Sequence, residues 1–336
     1  MDGFARSARV FSINEEFRWN GIPTIEVSES GTLMVAWYSG GTREPHEENK
    51  ILFSRSFDGG RSWEYPTVVE DPPGAAYAFD PCLWIDPSGR LWLNYSVAEE
   101  GVKCEVWYRV ATDYEDEGKE PNWSEPERME FGRPYAIQLN KRVVLDNGDW
   151  VIPTNFLSNP YRKRWMPGTT HTVGVVISTD EGRTWEAYGD LGVELGYTSE
   201  PMVVQREDGS LWMLVRTRTG FLWESTSYDR GRTWTPLEST GIVNPCARFH
   251  LRRLSSGNLL LINTPLPDHR DLLVAYLSDD DGETWRRSRV IDCRSGVSYP
   301  DAKQDDSGLI HMVFDYRRTE VGAIEHRAFT EDWLKF

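Results

Sequence analysis

Four ionisable side chains occupy equivalent positions in copies of one sequence repeat. They are Asp80, Glu200, Arg248 and Tyr299, each nine residues before a glycine that opens a short apolar segment. Two carboxylates can serve as general acid and base, and a phenol becomes a nucleophile when a neighbouring base takes its proton. A guanidinium beside them would bind an anionic group. The set predicts acid–base or nucleophilic chemistry on an anionic substrate, the alternative being groups that are merely solvated or paired.

The repeat that aligns these residues runs along the whole chain. Its glycines are 48 to 61 residues apart, at Gly31, Gly89, Gly148, Gly209, Gly257 and Gly308. Each is followed by a short apolar segment rich in residues that favour strands. Four of the six copies carry a proline eight residues before the glycine, at Pro23, Pro81, Pro201 and Pro300. A period of this size predicts a repeat architecture in which each unit is a small sheet.

A second motif, Ser-x-Asp-x-Gly-x-Thr/Ser-Trp, accompanies the first. It begins at Ser56, Ser178, Ser227 and Ser278, and a decayed copy runs from Thr112 to Ser124. Short Ser and Asp side chains accept hydrogen bonds from nearby backbone amides, glycine supplies a positive φ, and the tryptophan packs on the sheet. We interpret these boxes as structural caps of hairpins and not as catalytic motifs.

Together the two motifs predict an all-β fold, a six-bladed β-propeller with four-stranded antiparallel blades, in a single domain covering residues 1–336. The predicted blades are 22–66, 80–128, 137–188, 199–237, 247–288 and 298–329. The last blade lacks a box, so we expect the N-terminal segment 8–13 to supply its outer strand and close the ring. First strands line the channel of a propeller and begin at one face, where the four ionisable residues should meet.

Further residues should lie at that same face. Counting seven residues forward from each glycine reaches the far ends of the second strands, at Tyr38, Ser96, Asn155, Arg216, Thr264 and Asp315. The loops beyond them carry Arg43 and His46 in blade one, Trp165 in blade three and Arg270 in blade five. Arginines gathered at one mouth would hold an anion, and an aromatic loop residue such as Trp165 suits a sugar face.

Composition excludes several classes of partner. Lys and Arg number 37 against 53 Asp and Glu, a formal charge of −16, which disfavours nucleic acid and anionic membranes. The N-terminus lacks the apolar stretch of a signal peptide and no apolar run approaches a membrane span, so we expect a cytoplasmic protein. The four cysteines are scattered, and no zinc, P-loop or dinucleotide pattern is present. No cofactor or metal is therefore expected, and the oligomeric state stays open.

The residues resemble those of the sialidase superfamily over essentially the whole chain. The boxes resemble its Asp-boxes, and residues 199–216 are similar to its segment carrying a glutamate and then an arginine. Residues 267–278 and 297–299 are similar to its segments with a further arginine and with the nucleophilic tyrosine. The resemblance implies a tyrosine nucleophile, Tyr299, activated by Glu200, with Arg216 and Arg270 binding a substrate carboxylate.

Two departures from the family pattern affect the N-terminal part of the site. The family begins blade one with Arg-Ile-Pro, and its arginine is part of a three-arginine clamp, whereas this chain has Gly21-Ile22-Pro23. The family's acid/base aspartate corresponds here to His46. Arg18, Arg43 and Arg248 are candidates for the missing guanidinium. His46 is the first candidate for the acid, with Asp80 and Glu47 as alternatives.

These observations predict an exo-acting, sialidase-like glycoside hydrolase for a terminal anionic sugar. Two alternatives remain open on sequence grounds. One is a polysaccharide lyase acting on a uronate, with His46 or Tyr299 abstracting the C5 proton. The other is a carbohydrate-binding propeller without catalytic activity.

Overall fold

A computed structural model describes residues 5–138, 140–159, 171–193 and 197–335, and these form six antiparallel sheets around a central channel, as the repeat predicts. The N-terminal strand is β1 (Arg6–Phe11). Blade one contains β2 (Asn20–Val27), β3 (Leu33–Ser39), β4 (Lys50–Ser56) and β5 (Thr67–Glu70). Blade two contains β6 (Tyr77–Ile85), β7 (Leu91–Glu99), β8 (Lys103–Ala111) and β9 (Glu127–Arg128). Blade three contains β10 (Ala136–Ile137), β11 (Val143–Val144), β12 (Trp150–Leu157), β13 (His171–Ser178) and β14 (Glu186–Leu191).

The remaining blades follow the same order. Blade four contains β15 (Thr198–Gln205), β16 (Leu211–Thr217), β17 (Phe221–Ser227) and β18 (Glu238–Val243). Blade five contains β19 (His250–Arg253), β20 (Leu259–Asn263), β21 (Leu273–Ser278) and β22 (Arg287–Asp292). Blade six contains β23 (Val297–Gln304), β24 (Leu309–Tyr316) and β25 (Ala323–Thr330), before a short helix α1 (Glu331–Lys335). Within the described ranges α1 is the sole helix, and at five residues it could not span a bilayer.

The ring is closed by the N-terminal strand. β1 pairs antiparallel with β25, with Arg6 opposite Ala328, so blade six has the order β1-β25-β24-β23. The predicted closure is confirmed, with bounds of Arg6–Phe11 in place of residues 8–13. Closure covers the edge of β25, which would otherwise present unpaired backbone groups to solvent.

Blade three departs from the four-strand pattern because its inner strand is interrupted. β10 and β11 both pair with β12, and Lys141 lies in the segment between them. Its ammonium group reaches the channel, 3.1 Å from Glu26 Oε1 and 3.3 Å from Asp301 Oδ2, and all three side chains are buried. Burial by itself would raise the pKa of Asp301, yet Lys141 and neighbouring cations hold that pKa well below its usual range. An interior ion-pair network therefore fills this part of the channel.

The boxes cap the outer hairpins, as interpreted from the sequence. In the first box Gly60 N–H donates to Ser56 Oγ at 2.8 Å, and Asp58 accepts from the backbone N–H and the hydroxyl of Ser62. The box follows β4, whose antiparallel course brings it to the face of the ring opposite the starts of the inner strands. The boxes thus stabilise the blades at a distance from the candidate site.

A β-bulge recurs in the inner strands of blades one, two, four and six. At each bulge one residue has a positive φ, between 49° and 58°, and a proline follows it: these residues are Ile22, Asp80, Glu200 and Tyr299. A left-handed conformation costs a residue with a Cβ about 1–2 kcal/mol, and bulges re-aim side chains next to functional sites. The position nine residues before the turn glycine therefore marks the point where the inner strand bends in these four blades.

Blade five keeps the pairing register but lacks the bulge, since Arg253 pairs with Leu259 just as Gln205 pairs with Leu211 in blade four. Its left-handed residue is Cys246 (φ 54°), two positions before Arg248. Ala247 N–H donates to Asn244 Oδ1 at 2.9 Å in a local turn, and β19 does not begin until His250. Arg248 therefore has the predicted position relative to the turn glycine but lacks the left-handed bend found at Asp80, Glu200 and Tyr299.

Candidate active site

Tyr299, Glu200 and Arg216 form a buried hydrogen-bonded cluster. The Tyr299 hydroxyl donates to Glu200 Oε1 at 2.9 Å and accepts from Arg216 Nη1 at 2.7 Å. Arg216 Nη1 also lies 2.5 Å from Glu200 Oε1. The three side chains come from blades four and six and are 1–5% exposed. The phenol is thus placed beside a carboxylate that can take its proton.

Two of the four bulges are held by a side chain of the blade before them. Glu200 N–H donates to Asn155 Oδ1 at 2.8 Å, and Asn155 Nδ2 donates to Ser199 Oγ. Ile22 N–H donates in the same way to Asp315 Oδ2 at 3.0 Å across the closure of the ring. Asn155 and Asp315 both belong to the set seven residues after the turn glycine. These two members of that set therefore position an inner-strand residue of the next blade.

The Tyr299 phenol is held in its neutral form. Burial is the largest influence and raises its pKa, Arg216 opposes this, and the Glu200 carboxylate raises the pKa further. Burial alone would lower the pKa of Arg216, but the Glu200 carboxylate holds that pKa well above its ordinary value, so the guanidinium stays charged. A neutral phenol becomes a strong nucleophile only as its proton leaves, and Glu200 is the adjacent acceptor.

Three guanidinium groups surround the Tyr299 ring. The Cζ atoms of Arg318, Arg270 and Arg216 lie 4.2, 5.2 and 5.9 Å from the ring centroid. Cys246 orients two of them, because Arg270 Nη2 donates to its carbonyl at 2.9 Å and Arg216 Nε to its sulfur at 3.3 Å. The left-handed backbone of Cys246 therefore links two of the three guanidinium groups.

Arg318 was missed by the sequence reasoning. It follows β24 and reaches back, so that Nε donates to Asp315 Oδ2 and Nη1 to Glu44 Oε1, each at 2.8 Å. The available signal was the glycine at position 21, which leaves space beside the inner strand of blade one. Arg18, a candidate for the missing guanidinium, pairs with Glu48 at 3.2 Å, and both side chains are about half exposed.

A pocket opens beside the cluster, and Asp80 and Glu200 both line it. Its other lining residues are Tyr38, Glu44, Pro45, Tyr77, Phe79, Ile137, Asn155, His171, Tyr197 and Ser199. Aromatic rings with a few polar groups are typical of a ligand pocket of this kind. The structure therefore places Asp80 and Glu200, two of the predicted ionisable residues, on the wall of one pocket.

His46 and Arg43 line a neighbouring groove, together with Glu47 and Glu99. Pro45 and Tyr77 line both cavities and lie between them. His46 Nδ1 accepts a hydrogen bond from the backbone N–H of Glu48 at 3.1 Å. The blade-one loop instead contributes Glu44 to the pocket, where the Tyr38 hydroxyl donates to it. Counting back from the first box selected His46 as the candidate acid, but Glu44, two residues earlier, is the residue of this loop whose carboxylate lines the pocket.

Two further predicted residues stand apart from the cluster. Arg248 lies in the channel interior, where it donates to Asn140 Oδ1 at 2.8 Å and to the Pro23 carbonyl at 3.2 Å, with Asp301 Oδ1 at 3.7 Å. Trp165 lies outside the described residues. Among the residues that are described, no three His, Cys, Asp or Glu side chains are grouped so as to hold a metal ion.

Comparison with known proteins identifies a matching family and several similar proteins. A family described as "BNR repeat-like domain" matches residues 31–312. A sialidase of Bacteroides fragilis is 22% identical over 94% of this chain, which spans 62% of that protein, less than two thirds of its length. A sialidase of Paraclostridium sordellii is 25% identical over 81% of this chain and 74% of its own length. Among solved structures, Hadza microbial sialidase Hz136 has a TM-score of 0.78 and 22% identity, covering 94% of this chain and 66% of that one.

Proposed function

The chain belongs to the BNR repeat-like family of the sialidase superfamily, and from this premise we propose that it is an exo-acting glycoside hydrolase that releases a terminal anionic sugar. The observation that carries the proposal is the buried Tyr299–Glu200 hydrogen bond of 2.9 Å in the presence of guanidinium groups. Sialidases are the glycosidases that use a tyrosine nucleophile.

In the proposed first step the Tyr299 oxygen attacks the anomeric carbon while Glu200 takes its proton. The bond to the leaving oxygen breaks and a covalent glycosyl–tyrosine intermediate forms. A neutral phenol avoids placing a negative charge against an anionic sugar in the ground state. The negative charge that develops on the Tyr299 oxygen as its proton leaves is stabilised by Arg216, which already donates to that oxygen at 2.7 Å.

Asp80 is our candidate for the acid that protonates the leaving oxygen. It lines the pocket together with Glu200, whereas His46 lines the adjacent groove. Glu44 also lines the pocket, but both its oxygens already accept hydrogen bonds, from Tyr38 and from Arg318. In the second step the Asp80 carboxylate takes a proton from water, whose oxygen attacks the anomeric carbon. The bond to the Tyr299 oxygen breaks, and Glu200 returns its proton to that oxygen.

Arg216 and Arg270 are the proposed binding residues for the sugar carboxylate. Guanidinium groups bind carboxylates through two parallel hydrogen bonds, which orients the sugar as well as attracting it. Arg270 is half-buried, and its single described hydrogen bond, to the Cys246 carbonyl, leaves further N–H groups for a ligand.

A side-by-side assay tests the proposal. Aryl glycosides of sialic acid, glucuronic acid and neutral sugars are incubated with the protein in water enriched in oxygen-18. We expect release from an anionic glycoside, with the label in the sugar product. An unsaturated uronate absorbing in the near ultraviolet would favour the lyase alternative. Binding without product would favour a carbohydrate-binding propeller, and equal turnover of neutral sugars would contradict the anionic specificity.

A further inference from the structure

We propose that Arg318, from the last blade, is a specificity-determining residue that contacts the acidic group of the substrate, made possible by the missing side chain at Gly21. The inference rests on the proposed function and concerns the same site. It assigns to a residue after β24 the contact that the inner strand of blade one does not make.

Gly21 leaves the space that the Arg318 side chain occupies. A Cβ atom built on Gly21 would lie 3.0 Å from Arg318 Cδ, 3.1 Å from Arg318 Nε and 2.8 Å from Cη2 of the Trp19 ring. These distances are shorter than ordinary van der Waals contacts, so a side chain at position 21 would require the Trp19 ring and the Arg318 stem to shift from their present positions. No positive φ explains the glycine, and the space left by its missing side chain is what admits the arginine stem.

Two carboxylates hold the Arg318 guanidinium in place. Asp315 Oδ2 accepts from Nε and Glu44 Oε1 accepts from Nη1, each at 2.8 Å. Asp315 is itself fixed, because the Ser298 hydroxyl and the Ile22 N–H both donate to it. The guanidinium is thus oriented before any ligand arrives, which reduces the entropy lost on binding.

One nitrogen of Arg318 lacks a hydrogen-bond partner in the described part of the chain. Nη2 is buried and has no hydrogen-bond partner among the described residues, although its guanidinium lies 4.2 Å from the Tyr299 ring centroid. Buried charged donors are normally paired, since leaving one unsatisfied is costly. A carboxylate bound beside Tyr299 would satisfy this donor, which makes an acidic sugar the ligand class that this nitrogen fits.

The test compares charged and neutral forms of the same sugar. Dissociation constants are measured by calorimetry for N-acetylneuraminic acid, glucuronic acid and the methyl ester of each. We expect Arg318→Gln to weaken binding of an acid at least about tenfold, in the range of a lost charge-assisted hydrogen bond, while changing binding of its ester less than about threefold. Arg317→Gln is the matched control, because Arg317 is its exposed neighbour and pairs with Glu320 at the surface.

A second variant changes the position of the Arg318 side chain without removing its charge. Gly21→Ala should displace the guanidinium and cause the same selective loss of acid binding. Gly192→Ala is its control, because a Cβ there would meet its nearest neighbour at an ordinary 3.4 Å. This pair keeps the inference testable if Arg318→Gln does not fold, since Glu44 and Asp315 would then face each other without their shared partner.

The outcomes separate this inference from the proposed function. If the unaltered protein prefers the acids and both Arg318→Gln and Gly21→Ala keep that preference, the assignment of Arg318 is wrong and the proposed function stands. If the unaltered protein binds neither acid, or binds acid and ester equally, the anionic specificity and the assignment of Arg318 are both overturned.

Discussion

Replacing Tyr299 by phenylalanine removes one oxygen atom from the centre of the site. We expect turnover to fall at least about 100-fold, because the variant has no atom that can form the bond to the anomeric carbon. At about 1.36 kcal/mol for each factor of ten, this corresponds to about 2.7 kcal/mol or more of lost transition-state stabilisation. Substrate binding should change little, since the ring and the guanidinium groups around it remain.

The same substitution should leave the protein folded. It removes one hydrogen bond to Glu200 and one from Arg216, while the direct Glu200–Arg216 ion pair of 2.5 Å keeps both charges paired. The expected loss of stability is therefore about 1–3 kcal/mol, below the roughly 5–15 kcal/mol of a typical domain. The fold should tolerate the substitution because Glu200 and Arg216 remain paired with each other.

The assay measures kcat and KM on the best anionic aryl glycoside, with thermal unfolding as a check on folding. Tyr95→Phe is the matched control, because Tyr95 is also fully buried and donates to a carboxylate, Glu70 Oε2 at 2.7 Å, away from the pocket. It should lose stability and keep kcat. Turnover in Tyr299→Phe within tenfold of the unaltered protein would refute the tyrosine mechanism.

Four further outcomes follow from the structure. Arg270→Ala should raise KM for anionic glycosides about tenfold or more and leave neutral glycan binding unchanged; equal effects on both would remove Arg270 from the anion site. Asp80→Asn should cost about 10²–10⁴-fold with poor leaving groups and much less with activated aryl groups, whereas a uniform loss would argue against an acid role. Burial lowers the pKa of His326 to about 3, so the unfolded chain takes up its proton first, near pH 6.5. Stability should then be complete above that pH and fall by about 2 kcal/mol by pH 5; chemical denaturation at pH 7.5 and 5 should show that His326→Gln reduces this fall and that the exposed His269→Gln does not. Asp58→Asn in the first box should lower Tm by about 2 °C with kcat unchanged, and a loss of activity would contradict the structural interpretation of the boxes.

Much of the fold was readable from local patterns. The spacing of the turn glycines predicted six blades, and the absence of a box in the last unit predicted that the N-terminal strand closes the ring, both of which are confirmed. Prolines in register marked the bulges at Ile22, Asp80, Glu200 and Tyr299. These features depend on residues close to one another in the chain, so a single sequence contains them.

The errors occurred where position depends on the path of a loop. Arg248 follows a turn of residues 244–247, and the left-handed residue of blade five is Cys246, so no bulge turns Arg248 toward the cluster. In the blade-one loop the same kind of count selected His46, while the backbone directs Glu44 into the pocket. A count of residues gives a position along the strand, but it does not give the conformation of the turn or loop that directs the side chain.

The sequence by itself determined the repeat, the bend in the inner strands and the tyrosine, glutamate and aspartate that those bends present. Only the tertiary structure decided which guanidinium groups surround Tyr299. Arg318 and Glu44 are 274 residues apart, and Cys246 and Arg216 belong to different blades, yet each pair meets at the mouth of the ring. The physical reason is that strand formation depends on neighbouring residues, whereas the contacts of long side chains depend on the space left by distant ones, as at Gly21.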